Sequence, residues 1–172
     1  ADKIKQTAER VKRLKNELTE YGYTLVGSEP LKITVNAKQY GYDGRALAKI
    51  LADGNVIAEY FDADFTVLMV SAENDESDLN ALERALKDLP KKPPLEQPNF
   101  AFKPARVTTM KQALTADTET VDVTKALGRV LACPTVSCPP AIPVLYGGEL
   151  IDEQAVKTLL YYGITTVLVA KK

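Results

Sequence analysis

Ile4, Ala8, Val11, Leu14, Leu18 and Tyr21 recur at steps of three and four residues, one apolar stripe of an amphipathic helix that Gly22 ends. Leu31, Ile33 and Val35 alternate with Lys32 and Thr34, the period of a half-buried strand, after the turn chemistry of Gly27-Ser28-Glu29-Pro30. Residues 24–26 read as a short flanking strand. Asp43 caps a helix carrying Ala46, Leu47, Ile50 and Leu51, which Asp53-Gly54 closes. Residues 56–60 and 65–70 read as two more strands, and Asn74 or Asp75 starts a helix with Leu79, Leu82, Leu86 and Leu89 facing inward. The order predicts a two-layer α/β sandwich, an antiparallel-containing sheet with helices mainly on one face.

That pattern stops near residue 89. Five of the ten prolines then fall between Pro90 and Pro104, the composition of a stiff linker or of a strap laid over a surface. The expected division is a sandwich over 1–89, a Pro-rich linker over 90–105 and a small C-terminal α/β domain over 106–172. In the last part residues 109–114 and 124–127 read as helical turns, 130–132 as a strand, 152–162 as a helix and 165–169 as a buried strand. Cys138-Pro139-Pro140-Ala141-Ile142-Pro143 cannot be helix and can pair only at a sheet edge. Its apolar positions are so few that the part is expected to lean on the first part or on another chain.

The 172 residues are 26% charged and 45% hydrophobic with a formal net charge of −1, ordinary globular arithmetic. Residues 1–89 hold twelve basic and sixteen acidic side chains, and 90–172 hold ten and seven, neither balance pointing to nucleic acid. No apolar run approaches the roughly 20 residues that span a bilayer, so no membrane is expected, and with two cysteines too few for a disulfide framework the expected location is cytoplasmic. Histidine is absent, which removes imidazole-activated nucleophiles and histidine-based zinc sites.

Candidate chemistry is thin. Gly147-Gly148-Glu149 can offer backbone N–H groups to an anion but reads better as a structural turn. Cys133 and Cys138 lack partners for a metal shell, so no metal site is expected. Asp62 and Asp64 can flank a cation but read better as solvated turn residues. The first helix, with Lys3, Lys5, Arg10, Lys12, Arg13 and Lys15 among Glu9, Glu17 and Glu20, reads as a solvated face of mixed sign. Tyr40, Tyr42, Tyr161 and Tyr162 read as packing rather than ligand stacking. No catalytic set emerges.

Two stretches resemble one family, in its order and at its separation. Tyr21-Gly22-Tyr23, Leu31-Lys32-Ile33-Thr34-Val35, Tyr42-Asp43-Gly44-Arg45-Ala46-Leu47-Ala48 and Phe65-Thr66-Val67-Leu68-Met69-Val70 look like the small domain of the fold-type I ornithine/lysine/arginine decarboxylases of bacteria. Leu127-Gly128-Arg129-Val130-Leu131-Ala132, leading to Cys138, Pro139, Pro140, Ala141, Ile142, Pro143 and then Gly147, Gly148, Glu149, is similar to that family's C-terminal domain. Ala141 stands where the family usually has glycine and Gly147 where it usually has proline. The stretch 127–132 alone also resembles a segment of molybdopterin-cofactor assembly proteins.

The resemblance implies the non-catalytic C-terminal part of a pyridoxal 5′-phosphate-dependent decarboxylase, converting ornithine, lysine or arginine to the amine and carbon dioxide. The family's Schiff-base lysine sits in a serine-x-histidine-lysine motif, which a chain without histidine cannot contain, so no cofactor and no catalytic residue are expected here and the chain alone should be inactive. The implied partners are the cofactor-binding domain, over which this part closes, and further copies in a homo-oligomer. Cys138, Pro139, Pro140, Ala141, Ile142, Pro143, Gly147, Gly148 and Glu149 are the expected border of the active-site entrance or of a subunit contact. Glu149 can offer its carboxylate to a cationic substrate, to a backbone N–H or to a helix start. The rival expectation is a free-standing regulatory or interaction module; a third is assembly with a catalytic domain on a separate chain.

Overall fold

The first apolar stripe winds into α1 (Asp2–Tyr21), which buries Val11, Leu14 and Leu18 completely. The computed structural model describes residues 2–100, 103–138 and 142–171. The chain divides into two units, Ala1–Gln97 and Pro98–Lys172. The first combines α1, α2 (Gly44–Asp53) and α3 (Glu76–Lys87) with strands β1 (Leu25–Val26), β2 (Lys32–Asn36), β3 (Tyr60–Phe61) and β4 (Phe65–Met69). The strands form one antiparallel sheet in the order β1-β2-β4-β3. Ile33 pairs with Leu68 and Val35 with Thr66, so the period of two directs Ile33, Val35 and Leu68 to one face. There they join Val11, Leu14 and Leu18 of α1, Leu47 and Leu51 of α2, and Leu79, Leu82 and Leu86 of α3 in one cluster. The helices and antiparallel sheet make this an α+β fold.

The helix starts carry the expected chemistry. Asp43 accepts the Arg45 N–H at 2.9 Å, and Asp75 with Asp78 closes a capping box on α3. The strand expected over 56–60 does not form as such: Asn55, at φ 62°, turns the chain away after α2, and pairing with β4 is confined to Tyr60 and Phe61. Arg10 departs from the solvated-face reading of α1. Its side chain is 12% exposed and bonds Glu76, Asn80 and Glu83, tying α1 to α3.

Four tyrosines form a ladder. Tyr21, Tyr23, Tyr40 and Tyr42 are stacked in that order, with Tyr23 and Tyr40 3.8 Å apart between ring centroids. Their hydroxyls donate to the carbonyls of Lys87, Leu86, Leu89 and Pro90 respectively, so the ladder grips the end of α3 and the residues after it. Residues 92–97 continue along the same loop: Lys92 N–H donates to Tyr40 O, Leu95 N–H to Lys38 O, Lys38 Nζ to Glu96 O, and Asn36 Nδ2 to Gln97 Oε1. Lys92 Nζ also lies 4.2 Å from the Tyr42 ring centroid.

Asp62 and Asp64 are turn residues but not solvated ones, at 3% and 1% exposure. Asp62 Oδ1 accepts the N–H groups of Asp64 and Phe65, each at 2.7 Å, an Asx turn that leaves Oδ2 buried without a hydrogen bond. The cation beside Asp64 is the protein's own: Lys38 Nζ, 3.5 Å from Asp64 Oδ1.

The described strands of the second unit form two separate two-stranded sheets. The unit comprises α4 (Met110–Thr115), β5 (Thr118–Asp122), β6 (Thr135–Cys138), β7 (Ile142–Tyr146), α5 (Glu153–Tyr161) and β8 (Thr166–Ala170). β5 pairs antiparallel with β8, and β6 with β7. Val123, Leu131, Leu145, Ile151, Leu159 and Val169 lie at its core. Residues 130–132 join through isolated bridges, Val130 to Leu150 and Leu131 to Val169, rather than as a strand. The helical turn expected over 124–127 forms as a 3-10 turn, Val123–Lys125, capped by Asp122. β5 leaves no mark in the hydrophobic pattern, because Thr118-Glu119-Thr120-Val121-Asp122 offers it one apolar side chain. β8 is half buried rather than fully buried.

Candidate functional site

β7 runs from the core to the surface. Leu145 is fully buried, Tyr146 is exposed, and the chain turns at Gly147-Gly148. The turn is built for close approach. Gly148 sits at φ 89°, where a Cβ would collide with the Thr108 carbonyl, and a Cβ on Gly147 would meet the Cys133 carbonyl at 2.7 Å. Its N–H groups are all committed: Gly147 to Pro134 O at 3.1 Å, Gly148 to Leu131 O at 2.9 Å and Glu149 to Tyr146 O at 3.1 Å. None of them points to an anion.

Glu149 locks this turn. Oε2 accepts the Tyr146 N–H at 2.8 Å, and Oε1 accepts from Arg106 Nη2 at 3.3 Å, with the Glu149 side chain 11% exposed. Arg106 and Glu149 are also partners in an antiparallel bridge, flanked by Leu150 N–H to Ala105 O and Val107 N–H to Gly148 O. Of the partners expected for this carboxylate, a backbone N–H is one that it takes, alongside the Arg106 guanidinium. It does not start a helix: Asp152 caps α5, accepting the Ala155 N–H at 2.7 Å.

Above the turn lies a groove of about 670 Å³, lined by Lys103, Pro104, Ala105 and Arg106 on one side and Pro143, Val144, Tyr146 and Glu149 on the other. Pro143 and Glu149, both expected border residues, meet there. Cys138 and Ile142 pair across the β6–β7 hairpin, after a register shift between Val136 and Ser137. Pro139, Pro140 and Ala141 lie outside the described residues. Cys133 is half buried, and burial raises its thiol above the ordinary value. Sequence reasoning missed Lys103, Arg106 and Tyr146. The first two sit around Pro104 in a stretch whose prolines dominated the reading, and two basic residues at a linker edge carry no periodic signal.

Among the described residues no three His, Cys, Asp or Glu side chains gather to hold a metal ion. The buried Lys38 has its ammonium committed to Asp64 and to the Glu96 carbonyl. No described helix is long and apolar enough to cross a membrane.

Residues 87–169 match the family model described as Orn/Lys/Arg decarboxylase, C-terminal domain. The chain carries a C-terminal domain of the Orn/Lys/Arg decarboxylase family. This domain takes in most of the second unit, including the groove and the Glu149 turn. The chain is 28% identical over 142 residues to the Bacillus subtilis protein YaaO, covering 78% of this chain and 29% of that protein. It is 24% identical over 176 residues to the arginine decarboxylase of the same organism, covering 87% of this chain and 36% of the relative. It therefore spans about a third of the length of the curated relatives it matches. The structure of the constitutive lysine decarboxylase of E. coli superposes with a TM-score of 0.66 at 15% identity, over 99% of this chain and 41% of that one, so the likeness of fold to that chain extends through both units.

Proposed function

We propose that this chain is the non-catalytic C-terminal part of a pyridoxal-phosphate-dependent decarboxylase of a basic amino acid, acting in the cytoplasm as a homo-oligomer. The family match over residues 87–169, in a chain a third as long as its relatives, supports this reading most directly. The cofactor supplies the electron sink for decarboxylation, and its lysine belongs to another part of the protein. The residues here shape and brace. The tyrosine ladder fixes the chain as it leaves the sandwich, and Glu149 holds the turn that follows β7. Cys138, Pro139, Pro140, Ala141, Ile142, Pro143, Gly147, Gly148 and Glu149 are proposed as the border of the active-site entrance or of a subunit contact.

The reading frame that contains the Ala1 codon tests this. An upstream domain in the same frame with a serine-x-histidine-lysine motif is the expected result. A start codon directly before Ala1, with no such domain encoded nearby, would replace the reading by a free-standing interaction module.

A further inference from the structure

Asn55 turns the chain off the sheet after α2, and residues 56–58 lie outside the pairing of β3 with β4. A cavity of about 160 Å³ opens there, between these residues, the end of β4 and α3. Val56, Leu68, Leu79, Ala81 and Leu82 give it an apolar wall, and among the described residues that line it Asp78 carries the one charge. The capping box of α3 holds that carboxylate in place. Asp78 Oδ2 accepts from Asn74 Nδ2 at 3.1 Å and from the Asp75 N–H at 3.2 Å, while Oδ1 takes no hydrogen bond among the described residues. Met69 adds a second acceptor. Glu59 N–H donates to Val67 O on one side of β4 and Val70 N–H to Leu31 O on the other, so the alternation turns the Met69 carbonyl to the side of the cavity.

We infer that this cavity binds a linear primary alkylamine of about four to six carbons, its ammonium on Asp78 and its chain along Val56, Leu68 and Leu82. An anion would meet the Asp78 carboxylate with no cation in the lining to offset it, whereas an ammonium is attracted and finds acceptors for its three N–H groups. The apolar wall suits methylenes. An apolar cavity of about 150 Å³ takes up benzene, so a ligand of roughly six to eight non-hydrogen atoms has room here. The amines that the proposed reaction yields from ornithine and lysine have this chemistry, an ammonium on a short methylene chain. Naming the product as the ligand rests on that reading; the preference of the cavity for an alkylamine does not.

Amide-resolved NMR titration of the 172-residue chain with pentylamine, at constant ionic strength, tests this. The Asn55, Met69, Leu79 and Ala81 amides should shift together and saturate, with a dissociation constant on the order of 1 mM. Propylamine, two methylenes shorter, should bind about four- to sixteenfold more weakly, and pentanoate should move none of these amides. Asp78→Asn keeps an oxygen for the Asp75 N–H and loses the charge, so it should weaken pentylamine about tenfold. Ala81→Leu fills the cavity from a helix position and should abolish saturation while retaining the circular dichroism of the parent. No saturable shift at these amides overturns the inference, as does pentanoate binding as well as pentylamine, or binding unchanged in Asp78→Asn. Pentane-1,5-diamine should shift the same amides, and a diamine that leaves them unmoved would refute the product as the ligand. None of these failures touches the decarboxylase reading, which stands or falls on the upstream frame.

Discussion

The Tyr146 N–H donates to Glu149 Oε2 at 2.8 Å, so the carboxylate closes the turn that the two intervening glycines permit. Its first duty is therefore local order. Glu149→Ala removes the acceptor and leaves a part-buried N–H unpaired, which should destabilise the chain by about 1–3 kcal/mol in urea unfolding followed by circular dichroism. Glu149→Gln keeps one carbonyl oxygen for Tyr146 and gives up the charge facing Arg106, so its loss should be smaller.

The glycines of the second unit separate backbone strain from steric contact. Gly128 and Gly148 both sit at positive φ, 73° and 89°, but a Cβ on Gly128 meets nothing within 4 Å whereas one on Gly148 strikes the Thr108 carbonyl. Gly128→Ala should cost about 1 kcal/mol, from conformation alone. Gly148→Ala should cost at least about twice that, since backbone must also move. Equal losses in thermal or urea unfolding would contradict the packing described for this turn.

The tyrosine ladder predicts a graded series in the first unit. Tyr23→Phe keeps the stacked ring and removes the 2.7 Å bond to the Leu86 carbonyl, for an expected loss of about 1 kcal/mol. Tyr40→Ala removes a fully buried ring that stacks on Tyr23, for an expected loss of about 3–5 kcal/mol. Hydrogen exchange of the Leu95 amide, which donates to Lys38 O in the same loop, should quicken in Tyr40→Ala.

Asp62 gives the first unit a pH dependence of definite sign. Burial pushes its carboxyl above the ordinary 3.8, and the Asp64 carboxylate adds to this against the two backbone N–H bonds and Arg45. A group whose folded pKa is raised contributes stability that is complete below the unfolded value and is lost as pH rises through the folded one. The chain should therefore lose stability relative to Asp62→Asn as pH is raised from near 3.8. Asparagine keeps Oδ1 for the Asp64 and Phe65 amides, so the turn survives. A difference between the two proteins that does not change with pH would contradict the assignment.

Much of the first unit is legible in its sequence because each element repeats its signal. The α1 stripe, the alternation at Ile33 and Val35, and the Asp43 and Asp75 caps all reappear as buried or hydrogen-bonded groups. What escapes is long-range. Arg10 looks solvated until Glu76 and Glu83 arrive from α3, and Asp62 looks like a surface turn until the fold closes over it. In the second unit β5 carries one apolar residue and is held by backbone pairing with β8, which leaves no periodic trace. The Glu149 turn is visible as a motif, but its partner Arg106 lies 43 residues upstream and no local rule joins them.

Release of carbon dioxide from carboxyl-labelled ornithine, lysine and arginine tests the central claim most directly. It should be measured with pyridoxal phosphate, on the protein encoded by the whole reading frame and on the 172-residue chain alone. The account predicts release from at least one of the three by the whole protein and none by the chain. Release by the isolated chain, or none from any of the three by the whole protein, would contradict it.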